Sequence, residues 1–122
     1  EGDEIARVAP VIERLARAGV AISIDTRNAG TMEAALGAGA ALVNDVSALL
    51  GDARALEVVQ RSGAPVILMH AGDPRDLHAR TLGPQPVLDV YDWLDARTAA
   101  VAEAGVPRSR ILVDPGIGFG KT

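Results

Sequence analysis

The 122-residue sequence predicts an α/β fold with a parallel sheet, on three observations. One phrase recurs: a helical stretch ends in a small residue and glycine, then comes a short apolar run, then a polar residue. It appears as "RAGVAISID", "GAGAALVND", "RSGAPVILMH" and "EAGVPRSRILVD". The apolar runs are continuous rather than alternating, as in strands covered on both faces. Helical patterns separate them, so the order is αβαβαβαβ, and this alternation calls for right-handed crossovers between parallel strands.

Each element has its own signal. Ile5, Val8, Ile12 and Leu15 follow helical spacing, although Pro10 should bend that first helix or confine it to its later turns. Residues 31–38 form a short Ala-rich helix. Residues 52–61 form another, with Leu56 and Val59 on one face and Asp52 as its cap. Residues 87–104 form the longest, with Val90, Trp93, Leu94 and Val101 facing inward. The strands fall at 20–24, 41–43, 65–69 and 111–113. Gly19, Gly39, Gly63 and Gly105 stand just past helix ends, where left-handed backbone is needed. The stretch 71–86 is rich in breakers and reads as a loop. Two architectures compete, a doubly wound open sheet and a (β/α)₈ barrel. A complete barrel takes about 250 residues, so the chain would supply half of one. The expectation is a single partial domain, residues 1–122, cut at both ends.

Composition narrows the function. Hydrophobic residues make up 48%, but Tyr91, Trp93 and Phe119 are the only aromatic side chains, so the core must be aliphatic. The absence of cysteine excludes disulfides and thiolate metal sites and fits a reducing compartment. Net charge is −4 with Lys and Arg scattered, which points away from nucleic acid and anionic membranes. No apolar run approaches the roughly 20 residues that span a bilayer.

In parallel α/β folds the loops at the C-terminal strand ends build the site. Here every strand exit is polar: Asp25 and Thr26, then Asn44 and Asp45, then His70 preceded by Met69, then Asp114. Side by side these should converge on one mouth. A lone polar exit is usually a cap or a loop hydrogen bond, whereas four together indicate a shared site. Carboxylates and an amide on an aliphatic floor suit a flat heterocycle with N–H donors and a carbonyl. Met69 could pack on a ring face or simply fill the core.

Two motifs fail on inspection. "DPGIGFGKT" resembles a phosphate-binding G-x-x-x-x-G-K-[ST] loop, but five residues before Gly120 stands Pro115, so the match fails by one. His70 and His78 lack the i,i+4 spacing of a metal pair, and no metal site is assigned to them. Lys121 either meets an anionic ligand group or stands as a solvated surface lysine.

At these strand exits the sequence resembles the dihydropteroate synthases. The motifs are "ISIDT", "LVNDVSAL", "APVILMH" and "ILVDPGIGFGKT", in the family's order and spacing, and the first helix "DEIARVAPVIE" extends the match. The resemblance implies a (β/α)₈ TIM barrel, of which this chain would hold strands three to six. It implies a transferase of folate biosynthesis that condenses 6-hydroxymethyl-7,8-dihydropterin diphosphate with p-aminobenzoate and releases pyrophosphate. Asp25, Asn44, Met69 and Asp114 would then bind the pterin, with Asp25 also stabilising a cation-like methylene. Phe119 would lie toward p-aminobenzoate. The resemblance further implies a cytoplasmic homodimer and magnesium. The main protein ligand of that metal would belong to an N-terminal strand absent from this sequence. The family's Ser-Arg-Lys and Arg-x-His segments are also absent, and Lys121 is not the Ser-Arg-Lys lysine. The loop "MHAGDPRDLHAR" is one residue shorter than in the family. Two other readings stand beside this one: a methyltetrahydrofolate-dependent pterin-binding methyltransferase barrel, and a non-catalytic piece that at most binds pterin.

Overall fold

The computed structural model describes residues 1–121; Thr122, the end of the glycine-rich motif, lies outside the described residues. The elements follow in strict alternation. They are α1 (Gly2–Arg17), β1 (Ser23–Asp25), α2 (Ala29–Ala38), β2 (Leu42–Asp45), α3 (Ala55–Ser62), β3 (Val66–Met69), α4 (Pro86–Glu103), a 3₁₀ turn (Arg108–Arg110) and β4 (Ile111–Asp114). The four strands pair in parallel in the order β1-β2-β3-β4. Each strand lies beside its predecessor, with no reversal of direction across the sheet. A doubly wound sheet requires such a reversal, so the order is that of consecutive βα units in a barrel.

Strand register explains which residues face the helices. Ile24, Val43, Val66 and Ile111 are aligned across all four strands. They share the helix-side core with Met32 and Ala35 of α2, Val59 of α3 and Val101 of α4. This core contains no aromatic residue that is fully buried; Trp93 only packs against it from α4. Fully burying each branched aliphatic side chain favours folding by about 1.5–3 kcal/mol.

Several sequence expectations are corrected. Helix α1 runs through Pro10 without a break. Pro10 and Ala6, whose carbonyl loses its i+4 donor, both face solvent, where water can satisfy the freed oxygen. Leu15 is 41% exposed despite its helical spacing. The first strand begins only at Ser23, and Val20 before it is 49% exposed. Asp52 does not cap the helix after it, since the N-cap of α3 is Arg54. Instead its carboxylate accepts the Ala29 N–H at the start of α2 (2.9 Å) and the Arg54 N–H (2.9 Å). Gly19, Gly39, Gly63 and Gly105 all have positive φ, as their places after the helices require.

Candidate functional site

Side chains alternate between the two faces of a strand, so register decides which polar exits can meet. Asp25 is aligned with Asn44, and Met69 is aligned with Asp114. Asn44 is aligned with Ile67, two residues before Met69. All four of Asp25, Asn44, Met69 and Asp114 therefore share the sheet face opposite the helices. Ile67 and Leu112 lie between them and give that face an apolar floor. Asn44 and Asp114 are two strands and two residues apart, about 12 Å along the sheet at ordinary spacings. A bicyclic ring with a hydrogen bond at each end fills such a span.

The polar atoms on this face are only partly engaged within the chain. The Asn44 Oδ1 is buried and has no hydrogen-bond partner. A buried amide oxygen left unpaired costs free energy that an N–H donor would recover. Asp114 receives the Gly116 N–H on Oδ1 at 2.8 Å, which fixes the carboxylate's orientation and leaves its other oxygen for a second donor. Asp25 is exposed at the end of β1. Met69 is only 2% exposed yet stands outside the helix-side core cluster, as its face demands.

The glycine-rich exit folds back over β3. A Cβ on Gly116 would lie 2.4 Å from the His70 carbonyl oxygen and 3.2 Å from Met69 Cγ. With φ at +70° as well, the position admits glycine alone without strain. The half-buried Lys121 donates from Nζ to the Phe119 carbonyl (3.0 Å) and the His70 carbonyl (3.2 Å). Burial lowers its pKa below the usual lysine value, and the nearby Asp114 charge works against that shift. The Phe119 ring stacks on His78 at 5.6 Å, so the loop between β3 and α4 packs against the exit.

Three polar exit residues expected at the mouth do not reach it. Thr26 is buried on the other face, where Oγ1 donates to Glu4 Oε1 at 2.7 Å. Asp45 is fully buried and accepts from Ser47 N (2.8 Å), Ser47 Oγ (2.6 Å) and Leu49 N (3.1 Å). Burial pushes its carboxyl above the ordinary aspartate value, while these hydrogen bonds pull it down. His70 is buried edge-on against Trp93, with ring centroids 5.0 Å apart. Burial lowers its pKa, and the Lys121 charge lowers it further. Their parity relative to Ile24, Val43 and Leu68 was the signal that separates these residues from the mouth.

No sequence motif pointed to Arg27 or Arg97. Arg27 Nη1 donates to the Pro74 carbonyl at 3.1 Å and lines a cleft of about 680 Å³ with Asn28, Leu50, Gly51, Pro74 and Arg75. Arg97 Nε donates to the Ala48 carbonyl at 2.8 Å. Among the described residues, no three His, Cys, Asp or Glu side chains gather to hold a metal ion. No helix among them is long and apolar enough to cross a membrane.

Consecutive parallel βα units with a polar row at their C-terminal ends define a portion of a barrel and one edge of its mouth. The chain belongs to the pterin-binding enzymes: the family model described as "Pterin binding enzyme" matches residues 1–122. It is 45% identical over 121 residues to a probable bifunctional folylpolyglutamate synthase/dihydropteroate synthase of Haloferax volcanii, covering 98% of this chain and 14% of that one. It superposes on Burkholderia cenocepacia dihydropteroate synthase complexed with 7,8-dihydropteroate with a TM-score of 0.91 and 40% identity, covering 100% of this chain and 44% of the other. Xanthomonas albilineans dihydropteroate synthase with 4-aminobenzoic acid gives 0.90 and 38%, covering 99% and 42%. The chain thus spans less than half the length of each of these three proteins.

Proposed function

We propose that this chain carries the pterin-binding part of a dihydropteroate synthase. The reaction joins 6-hydroxymethyl-7,8-dihydropterin diphosphate to p-aminobenzoate. The arylamine nitrogen bonds to the pterin methylene, the C–O bond to the diphosphate breaks, and its electron pair leaves with pyrophosphate. The nitrogen gives up one proton.

The observation that carries this reading is the buried, unpartnered Asn44 Oδ1, flanked on the same face by the Asp25 and Asp114 carboxylates. Asp114, oriented by Gly116, accepts N–H donors at one end of the pterin. The Asn44 amide reads a mixed donor and acceptor edge. Met69 packs on the ring. Asp25, unencumbered at the end of β1, offsets positive charge that develops on the methylene as pyrophosphate departs. Phe119 lies toward p-aminobenzoate. The solved relatives carrying dihydropteroate and 4-aminobenzoic acid support both halves of the assignment. A homodimer working in the cytoplasm, with magnesium held by residues outside this chain, goes with the same proposal.

The test is calorimetric titration of the full-length protein with a pterin ligand, beside Asp114→Asn and Asn44→Ala variants shown by circular dichroism to be folded. Saturable binding, weakened at least about tenfold in both variants by the loss of a buried charge-assisted or amide hydrogen bond, is expected. Unchanged affinity in both folded variants would remove the pterin from this face.

A further inference from the structure

The backbone immediately after Asn44 is strained. Ala48 and Leu49 stand at φ 52° and 66°, in left-handed backbone that side chains with a Cβ disfavour. Neither is glycine, and both are buried, at 0% and 4% exposure. Such a conformation persists only where its surroundings over-determine it.

Two charged groups from different elements do so here. From the inside, the Asp45 carboxylate accepts the Ser47 and Leu49 N–H groups and the Ser47 hydroxyl. From behind the sheet, Arg97 of α4 reaches across 49 residues of sequence and donates Nε to the Ala48 carbonyl at 2.8 Å. The Arg97 guanidinium is partly buried and lies close enough to Asp45 for their charges to interact. Neither side chain belongs to the ligand face: Asp45 has the opposite parity to Asn44, and Arg97 stands on the helix layer.

We propose that Asp45 and Arg97 are positioning residues for Asn44, clamping the Ala48–Leu49 turn so that the β2 exit presents the Asn44 amide to the ligand. This rests on the reading of Asn44 as a pterin contact. The clamp acts through the backbone. Asp45 follows Asn44 directly, so any shift of the turn that Asp45 anchors rotates the end of β2 and the amide with it.

The experiment is a double-mutant cycle in the full-length protein, with pterin affinity by calorimetry and KM for both substrates as readouts. Arg97→Met keeps the aliphatic stem and removes the donor. It should weaken pterin binding about tenfold, the scale of one buried hydrogen bond, and leave the KM for p-aminobenzoate unchanged. Arg97→Lys, which retains one donor, should recover part of the loss. Ala48→Gly in the Arg97→Met background should recover part as well, because glycine adopts positive φ without the clamp. In an Asn44→Ala background, Arg97→Met should add little.

Full additivity of Arg97→Met with Asn44→Ala would overturn the clamp, as would equal losses for both substrates. If Asn44→Ala alone leaves pterin affinity intact, the pterin reading of that residue fails instead. If Asn44→Ala weakens binding and Arg97→Met does not, the clamp alone fails. Should Arg97→Met not fold, the same cycle with Arg97→Lys decides by the same criteria.

Discussion

The Lys121 ammonium donates to the His70 carbonyl oxygen at 3.2 Å, tying the glycine-rich exit after β4 to the end of β3. The same Nζ holds the Phe119 carbonyl at 3.0 Å. A lysine that the sequence offers as an anion contact thus has its donors aimed at backbone. Lys121→Met should cost about 1–2 kcal/mol of stability, since two carbonyls lose a charged donor. Urea unfolding would measure it. If Phe119 contacts the arylamine, the KM for p-aminobenzoate should rise while pterin affinity stays level.

Glycines in the exit are not equivalent, and paired alanine substitutions should separate them. At Gly116 a Cβ meets the His70 carbonyl at 2.4 Å in a backbone of φ +70°. At Gly118 the φ is +95° but nothing lies within 4 Å. Gly118→Ala should cost about 1–2 kcal/mol from the backbone alone. Gly116→Ala should cost that plus about 1–3 kcal/mol of overpacking. Equal losses for the two in urea unfolding would contradict the close approach.

Asp52 links the starts of two helices, and hydrogen bonds from the Arg54 and Ala29 N–H groups hold its carboxyl below the ordinary aspartate value. A depressed carboxyl contributes stability above its unfolded pKa and loses it as pH falls through the folded value. Asp52→Ala should therefore destabilise by about 1 kcal/mol near neutral pH, the usual worth of such a cap. The gap to the parent should close as pH falls below the ordinary carboxyl range of about 4. Thermal melts of both proteins from neutral to acid pH would show it.

His70 is held neutral by its surroundings. Its ring is buried against Trp93, and burial followed by the Lys121 charge depresses its pKa. The unfolded chain then takes up the proton first, so stability held above about pH 6.5 declines as pH falls toward the folded pKa. His70→Phe, which cannot protonate, should flatten that part of the stability profile. Pterin affinity should stay unchanged, because His70 lies on the helix side of the sheet. A large loss of affinity in this variant would place the imidazole in the site after all.

The sequence by itself determined the alternation of helices and strands, the parallel sheet, the aliphatic core and the glycine stops at Gly19, Gly39, Gly63 and Gly105. It also carried Asp25, Asn44, Met69 and Asp114, which register puts on one face. These were legible because local chemistry writes them: continuous apolar runs, turn residues and polar groups at strand ends recur within a few positions. Tertiary structure alone decided what spans distant segments. That Asp52 also holds the start of α2, 23 residues away, depends on how two βα units pack. The Arg97 bond to the Ala48 carbonyl joins residues 49 positions apart, and neither end carries a local signal for the other. Thr26, Asp45 and His70 looked like their neighbours in the sequence, but one residue of parity turns a side chain to the opposite face of a strand. Which face stays open is fixed only when the helices cover the other.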